Sequence, residues 1–235
     1  VEPALFHGSI RRSFIEAHPT LSAMEYQSTD VVRFVNSRPV KIVDSSIAQG
    51  LARTTGWKTW GSALVAGKLL NRIGMKGKTV LDLSSGNGVV ALICAALDAK
   101  QVVATECKSC MKILEKNIEF NVLDKSNWLP PGKILVKELN WGSTVLDNTL
   151  LTTTFNLIVL SDLVFIAVRD SIMDELLDTI LRLAKKTSQV LLIYEERILE
   201  GEEEFVDKFK AHFNIENIPL DKDLLDWLED DEDDE

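Results

Sequence analysis

The chain has 235 residues, 46% of them hydrophobic and 26% charged, which suits one globular domain with a sizeable core and excludes a chain too polar to fold. Its net charge of −10 gathers at one end: residues 226–235 carry eight acids and no base, so 28 acids face 26 bases in the remainder. A nearly neutral body lacks the basic footprint of a nucleic-acid binder, and no apolar run is long enough to span a bilayer, so neither nucleic acid nor membrane is expected as a partner.

Residues 1–30 mix polar and apolar side chains without a clean period and read as loop with a short helix at most. Residues 31–35 and 40–43 alternate weakly around Asn36, Ser37 and Pro39, which predicts a hairpin at the edge of the fold. Ser45 and Ser46 are caps for a helix to Arg53. Residues 60–73 show apolar positions at helical spacing, closed by Gly74. A regular alternation follows. Residues 79–83, 101–105, 134–139, 155–160 and 190–194 read as strands; 89–97, 110–120, 171–184 and 203–213 read as helices; 215–218 is one more candidate strand. Strands alternating with helices predict an α/β, Rossmann-like fold, a mostly parallel sheet with helices on both faces. The division is an N-terminal extension over 1–55, an α/β domain over 56–220 and an acidic tail over 221–235.

In such a fold the chemistry sits beyond the C-terminal ends of the strands. The first strand of the alternation runs into Asp82-Leu83-Ser84-Ser85-Gly86-Asn87-Gly88. Small residues there let backbone approach a ligand, and the next helix offers unpaired N–H groups. The dinucleotide fingerprint G-x-G-x-x-G is not met, because its glycine positions hold Ser84, Gly86 and Val89. The second strand ends at Glu106, 18 residues past Gly88. A carboxylate at that place accepts hydrogen bonds from ribose hydroxyls. A ribose contact without a phosphate cradle points to S-adenosylmethionine. The fourth strand ends at Ser161-Asp162 and the fifth at Glu195-Glu196-Arg197.

These landmarks resemble the family-16 methyltransferase-like enzymes, Rossmann-type proteins that are mostly protein lysine methyltransferases. The resemblance covers residues 56–219. It is carried by Gly56-Trp57-Lys58-Thr59-Trp60, by the glycine-containing turn, by Asn117-Ile118-Glu119-Phe120-Asn121, by Leu139-Asn140-Trp141-Gly142, by Ser161-Asp162-Leu163-Val164-Phe165 and by Tyr194-Glu195-Glu196-Arg197. It implies that Trp60 lies against the cofactor and Trp141 near its adenine. It implies cofactor contacts from Asp82, Ser84, Ser85, Gly86, Gly88, Glu106 and Ser161, and a protein substrate. Asp162 is then the expected catalytic residue, orienting an acceptor lysine or assisting its deprotonation. Four features depart from the family pattern: Ser84 stands where glycine is usual, Glu106 where Asp is common, and Phe165 where Tyr is usual, and the family's last strand is not visible. A methyltransferase of another acceptor, and a binding protein built on a decayed fold, stay open as alternatives.

Other features are weaker. Cys107-Lys108-Ser109-Cys110 matches C-x-x-C but lacks the second ligand pair of a zinc site, so no metal is expected. His7, His18 and His212 form no constellation. Asn117 and Asn121 read as a helix end, and Tyr194 as a buried strand residue. Three cysteines in a chain of this length point to a reducing compartment, and no signal-peptide pattern opens the sequence; the expected setting is the cytoplasm or nucleus. Oligomeric state is not readable.

Overall fold

The structure is a computed structural model, and it describes residues 4–10, 29–35, 38–43, 55–124, 128–197 and 201–225. Strands β1 (Ala4–Ile10), β2 (Thr29–Val35) and β3 (Arg38–Val43) precede helix α1 (Gly61–Ile73). Then come β4 (Thr79–Leu83), α2 (Val89–Ala96), β5 (Gln101–Glu106), α3 (Met111–Val122) and β6 (Ile134–Glu138). The second half holds α4 (Asn148–Thr152), β7 (Leu157–Ser161), α5 (Leu163–Arg169), α6 (Met173–Leu183), β8 (Gln189–Glu195), α7 (Glu202–Lys210), β9 (Asn214–Asn217) and α8 (Lys222–Leu225).

The main sheet has the order β6-β5-β4-β7-β8-β1-β9, and every neighbouring pair in it is parallel. The chain winds outward from β4 through β5 to β6, then restarts at β7 and winds the other way. The strand order therefore reverses between β4 and β7, which opens a crevice at their C-terminal ends.

Alternating strand residues feed two cores, one on each face. Val80, Val102, Ala104, Leu157, Val159, Leu191 and Ile193 pack under α1, α2 and α3. Leu81, Leu83, Val103, Ile158, Leu160, Val190, Leu192 and Tyr194 pack under α4, α5, α6 and α7. The central strands β4, β5, β7 and β8 are buried on both sides, which is why these segments read as continuous apolar runs. Helix α2 is buried all round, because α1 and the β2–β3 hairpin cover the faces that the sheet does not. Helix α6 is amphipathic instead: Leu176, Leu177, Ile180 and Leu183 face the sheet, with Asp174 and Glu175 in the first turn and Arg182 in the last, a charge order that suits the helix dipole.

The α/β expectation holds, and two local expectations are corrected. Residues 4–10 are a strand, not loop, and this strand supplies the sheet position between β8 and β9 where the sequence showed no candidate. Its seven residues, Ala-Leu-Phe-His-Gly-Ser-Ile, include a glycine and little alternation, and pairing with two neighbours overrides that weak local preference. The hairpin exists as β2 and β3, but it is a separate two-stranded sheet laid over α2 and α3. There the buried Asn121 amide accepts from the Lys41 N–H at 2.9 Å and donates to the Lys41 carbonyl at 2.7 Å. The expected helix over 171–184 is α6, Met173–Leu183; ahead of it stands α5, which was not foreseen, and the two meet at Ser171, which has φ 56°. The short helices α4 and α8 were not foreseen. The expected helix over 45–53 and the acidic run at 226–235 lie outside the described residues.

Candidate active site

The turn after β4 is built by left-handed residues in quick succession: Ser84 (φ 57°), Gly86 (57°) and Gly88 (90°). It is pinned to the end of β5. The Ser85 N–H donates to the Thr105 carbonyl at 2.8 Å, and the Gly86 N–H donates to Glu106 Oε1 at 3.1 Å. A side chain at Gly86 would lie 3.2 Å from the Gly56 carbonyl oxygen, and one at Gly56 would lie 2.9 Å from Cys110 Sγ. Two glycines thus let three chain segments meet at one point. Asn117, fully buried on α3, donates from Nδ2 to the Asn87 carbonyl at 2.8 Å and braces the turn from behind.

In front of the turn lie two adjoining chambers that share Thr55, Gly56, Ser84, Glu106 and Ile166. The narrower, about 60 Å³, is walled by Trp60, Asp82, Ser85, Gly86, Ser161 and Asp162. The wider, about 300 Å³, is walled by Cys107, Cys110, Asn140, Trp141 and Arg169. That volume is at the lower end of small-molecule sites, roughly 300–1,000 Å³. Four buried side-chain polar atoms lack a hydrogen-bond partner among the described residues, and two of them, Asp82 Oδ2 and Ser161 Oγ, belong to residues of the narrow chamber. A buried oxygen without a donor carries a desolvation cost that a bound ligand removes.

Burial shapes the charges here. Asp82 is 1% exposed, and desolvation pushes its carboxyl up to about 7, opposed in part by Ser85 and the Ala91 backbone. Glu106 is pushed up as well, first by burial and then by the neighbouring Cys107. Its Oε2 accepts from the Cys107 N–H at 2.6 Å. Asp162 is differently placed. It caps α5 with φ 61°, and its carboxylate receives Arg197 in a fork, Nη1 to Oδ1 at 2.9 Å and Nη2 to Oδ2 at 2.7 Å. Arg197 also reaches Glu195 at 3.1 Å, and its guanidinium lies over the rings of Phe165 at 4.9 Å and Trp60 at 5.7 Å. Two carboxylates and two aromatic faces therefore surround one cation beside the narrow chamber.

A sequence profile described as lysine methyltransferase matches residues 42–212. The chain belongs to this family. Among its relatives, the protein-lysine methyltransferase METTL21E of Mus musculus is 34% identical over 165 residues, covering 68% of this chain and 64% of that protein. The protein N-lysine methyltransferase METTL21A of Xenopus tropicalis is 28% identical, covering 69% and 71%. The TehB-like SAM-dependent methyltransferase of Corynebacterium glutamicum aligns in structure with a TM-score of 0.48 at 13% identity, covering 69% of this chain and 75% of that one. The chain spans less than two thirds of the length of the mouse relative.

Nine of the ten residues singled out from the sequence line the two chambers: Trp60, Asp82, Ser84, Ser85, Gly86, Glu106, Ser161 and Asp162 together with Trp141. Gly88 does not. It faces α3, where a side chain would lie 2.8 Å from Leu114 Cδ1. Asn117 and Asn121 lie in the second half of α3, Asn121 in its last turn, and both are also buried braces, of the turn and of the hairpin. Ser84 neither fills nor avoids the site: its Oγ accepts from the Trp141 indole N–H at 2.9 Å. Gly56, Ile166 and Arg197 were not foreseen as site residues. Arg197 left a signal, since it closes the polar run at the end of β8.

Proposed function

We propose that this family member transfers a methyl group from S-adenosylmethionine to a lysine side chain of a protein substrate. The observation that carries the reading is the set of strand-end groups converging on one crevice: Asp82 and Ser161 with unsatisfied buried oxygens, Glu106 at the end of β5, and Asp162 beside an aromatic and acidic enclosure.

S-adenosylmethionine, when bound, supplies an electrophilic methyl group on a sulfonium. The chain's residues do the rest. Glu106 accepts hydrogen bonds from ribose hydroxyls. Asp82 Oδ2 and Ser161 Oγ offer acceptors to a polar, cationic end of the ligand, and a cation there draws the Asp82 carboxyl into its ionised form. Trp60 and Trp141 wall the chambers and exclude water. At the acceptor end, the contacts to Arg197 and to the Glu195 N–H leave a lone pair on Asp162 Oδ2. That lone pair can hold one N–H of a neutral amine in line for displacement, and holding two reactants in attack geometry supplies much of the acceleration. The enclosure of Trp60, Phe165, Asp162 and Glu195 already retains one guanidinium, which supports its use for a lysine.

Calorimetry with S-adenosylhomocysteine tests the cofactor half, and the expected outcome is saturable binding at one site. Incubation of the protein and a cell extract with labelled S-adenosylmethionine, followed by mass spectrometry, tests the acceptor half. Label on lysine is expected; absence of any heat signal defeats the enzyme reading, and label confined to another residue or to a small molecule defeats the lysine assignment.

A further inference from the structure

Cys107 and Cys110 have no part in the chemistry above, yet both wall the wide chamber. Their sulfurs and a Glu106 carboxylate oxygen all lie within 4.8 Å of one another. The Cys110 N–H donates to the Cys107 carbonyl at 3.0 Å, a turn that keeps the two Cα atoms within roughly 7 Å, inside the reach of a disulfide. The pair opens α3, with Cys110 at the cap and Cys107 one turn ahead.

The two thiols are unequal. Cys107 is half-buried and Cys110 is buried. The Cys107 sulfur lies 3.0 Å from the Ser109 hydroxyl. Hydrogen bonding by Cys110, then by Ser109 and Glu106, holds the Cys107 thiol well below the usual range. An accessible thiolate with a buried partner behind it is the arrangement of an attacking and a resolving cysteine. Cys94 is the internal contrast: it is buried in the α2 core, and desolvation pushes its thiol up, so it is inert.

We propose that Cys107 and Cys110 are a thiol–disulfide modification site in the wall of the groove, closed by low-molecular-weight disulfides such as oxidised glutathione and shielded when the groove is filled. The Cys107 thiolate attacks one sulfur of the small disulfide, forming a mixed disulfide and releasing one thiolate. Cys110 gives its proton to solvent and attacks the Cys107 sulfur, releasing the second thiolate. Two protein thiols are oxidised and one small disulfide is reduced to two thiols. Only the shielding rests on the cofactor reading.

Intact-mass and peptide mapping of the full chain, incubated with oxidised glutathione at neutral pH, tests the site. The expected product has lost two hydrogens and yields a peptide linking Cys107 to Cys110, with Cys94 unmodified. Cys110→Ser is expected to stop at one glutathione on Cys107, and Cys107→Ser to take up none. Failure of the wild-type chain to form the 107–110 link overturns the proposal, as does equal uptake by Cys107→Ser. S-adenosylhomocysteine at about 100 times its Kd is expected to slow closure roughly a hundredfold. An unchanged rate in protein that calorimetry shows to be loaded overturns the shielding. An absence of binding in that calorimetry defeats the cofactor reading while the dithiol assignment stands on the mass result.

Discussion

Asp82 and Asp162 stand at the ends of paired parallel strands, and both are nearly sealed from solvent, at 1% and 8% exposure. Their carboxylates are satisfied in opposite ways. Asp82 keeps one oxygen without a donor. Asp162 accepts on both oxygens, from the Arg197 fork and from the Glu195 N–H, with one lone pair of Oδ2 left over. Equal burial thus produces two kinds of acid. One bears a desolvation cost that a cationic ligand can relieve; the other is oriented by a guanidinium built into the chain. The difference comes from Arg197, which reaches across 35 residues of sequence.

Replacing Asp82 with Asn tests the first half of that contrast and carries the largest expected effect. The group titrates near 3.8 when exposed and about 7 in the fold. The native state therefore binds more protons between those values, and the stability linked to the protonated form is full below about pH 4 and lost as pH rises through 7. An Asn at this position does not ionise. Denaturant unfolding of D82N is expected to match the parent near pH 4 and to exceed it at pH 8 by up to ~4 kcal/mol. A variant less stable than the parent at pH 8 would mean that the carboxylate is already compensated in the fold.

Glu106 sits between the two cases, buried but bonded to two backbone N–H groups. Glu106→Ala is expected to weaken S-adenosylhomocysteine binding by about 1–3 kcal/mol, the worth of two hydrogen bonds at roughly 0.5–1.5 kcal/mol each, or roughly five- to a hundredfold in Kd. Unchanged affinity by calorimetry would remove Glu106 from the cofactor site. Arg197→Ala turns Asp162 into a buried, unpaired acid like Asp82. Breaking a fully buried pair costs about 3–5 kcal/mol; the Arg197 side chain is 21% exposed, so about 1.5 kcal/mol is expected in unfolding experiments. Turnover is expected to fall with cofactor affinity unchanged. Arg197→Lys keeps the charge but loses the fork and should recover stability better than turnover.

The contrast also marks what a sequence can carry. Asp82, Glu106 and Ser161 were legible because each ends a buried apolar run, and the alternation of strands and helices puts such ends on one edge of a parallel sheet. Arg197, Gly56 and Asn117 were not, because their roles are contacts between elements far apart in the chain. Arg197 acts on Asp162, Gly56 makes room for Gly86, and Asn117 supports Asn87. The same limit explains β1. Its seven residues announce little by themselves, and only the open edges of β8 and β9 make them a strand. Helix α5 was hidden for another reason: Leu163–Arg169 is short and apolar nearly throughout, so no helical period distinguishes it from the strand before it.

Ser84 gives the smallest expected effect and the finest test of how the turn serves the site. A side chain at φ 57° costs about 1–2 kcal/mol relative to glycine, and glycine is what the family pattern has there. Against that strain stands the hydrogen bond from the Trp141 indole, about 1 kcal/mol. The two nearly cancel, so Ser84→Gly is expected to move unfolding by less than about 1 kcal/mol. The hydroxyl is directed at Trp141, which makes Ser84 a positioning residue for the wall of the wide chamber. Losing it should free the Trp141 side chain, seen as a change in tryptophan fluorescence. It should also weaken S-adenosylhomocysteine binding severalfold, about 0.5–1.5 kcal/mol. Tighter binding by the glycine variant would show instead that the serine side chain crowds the ligand.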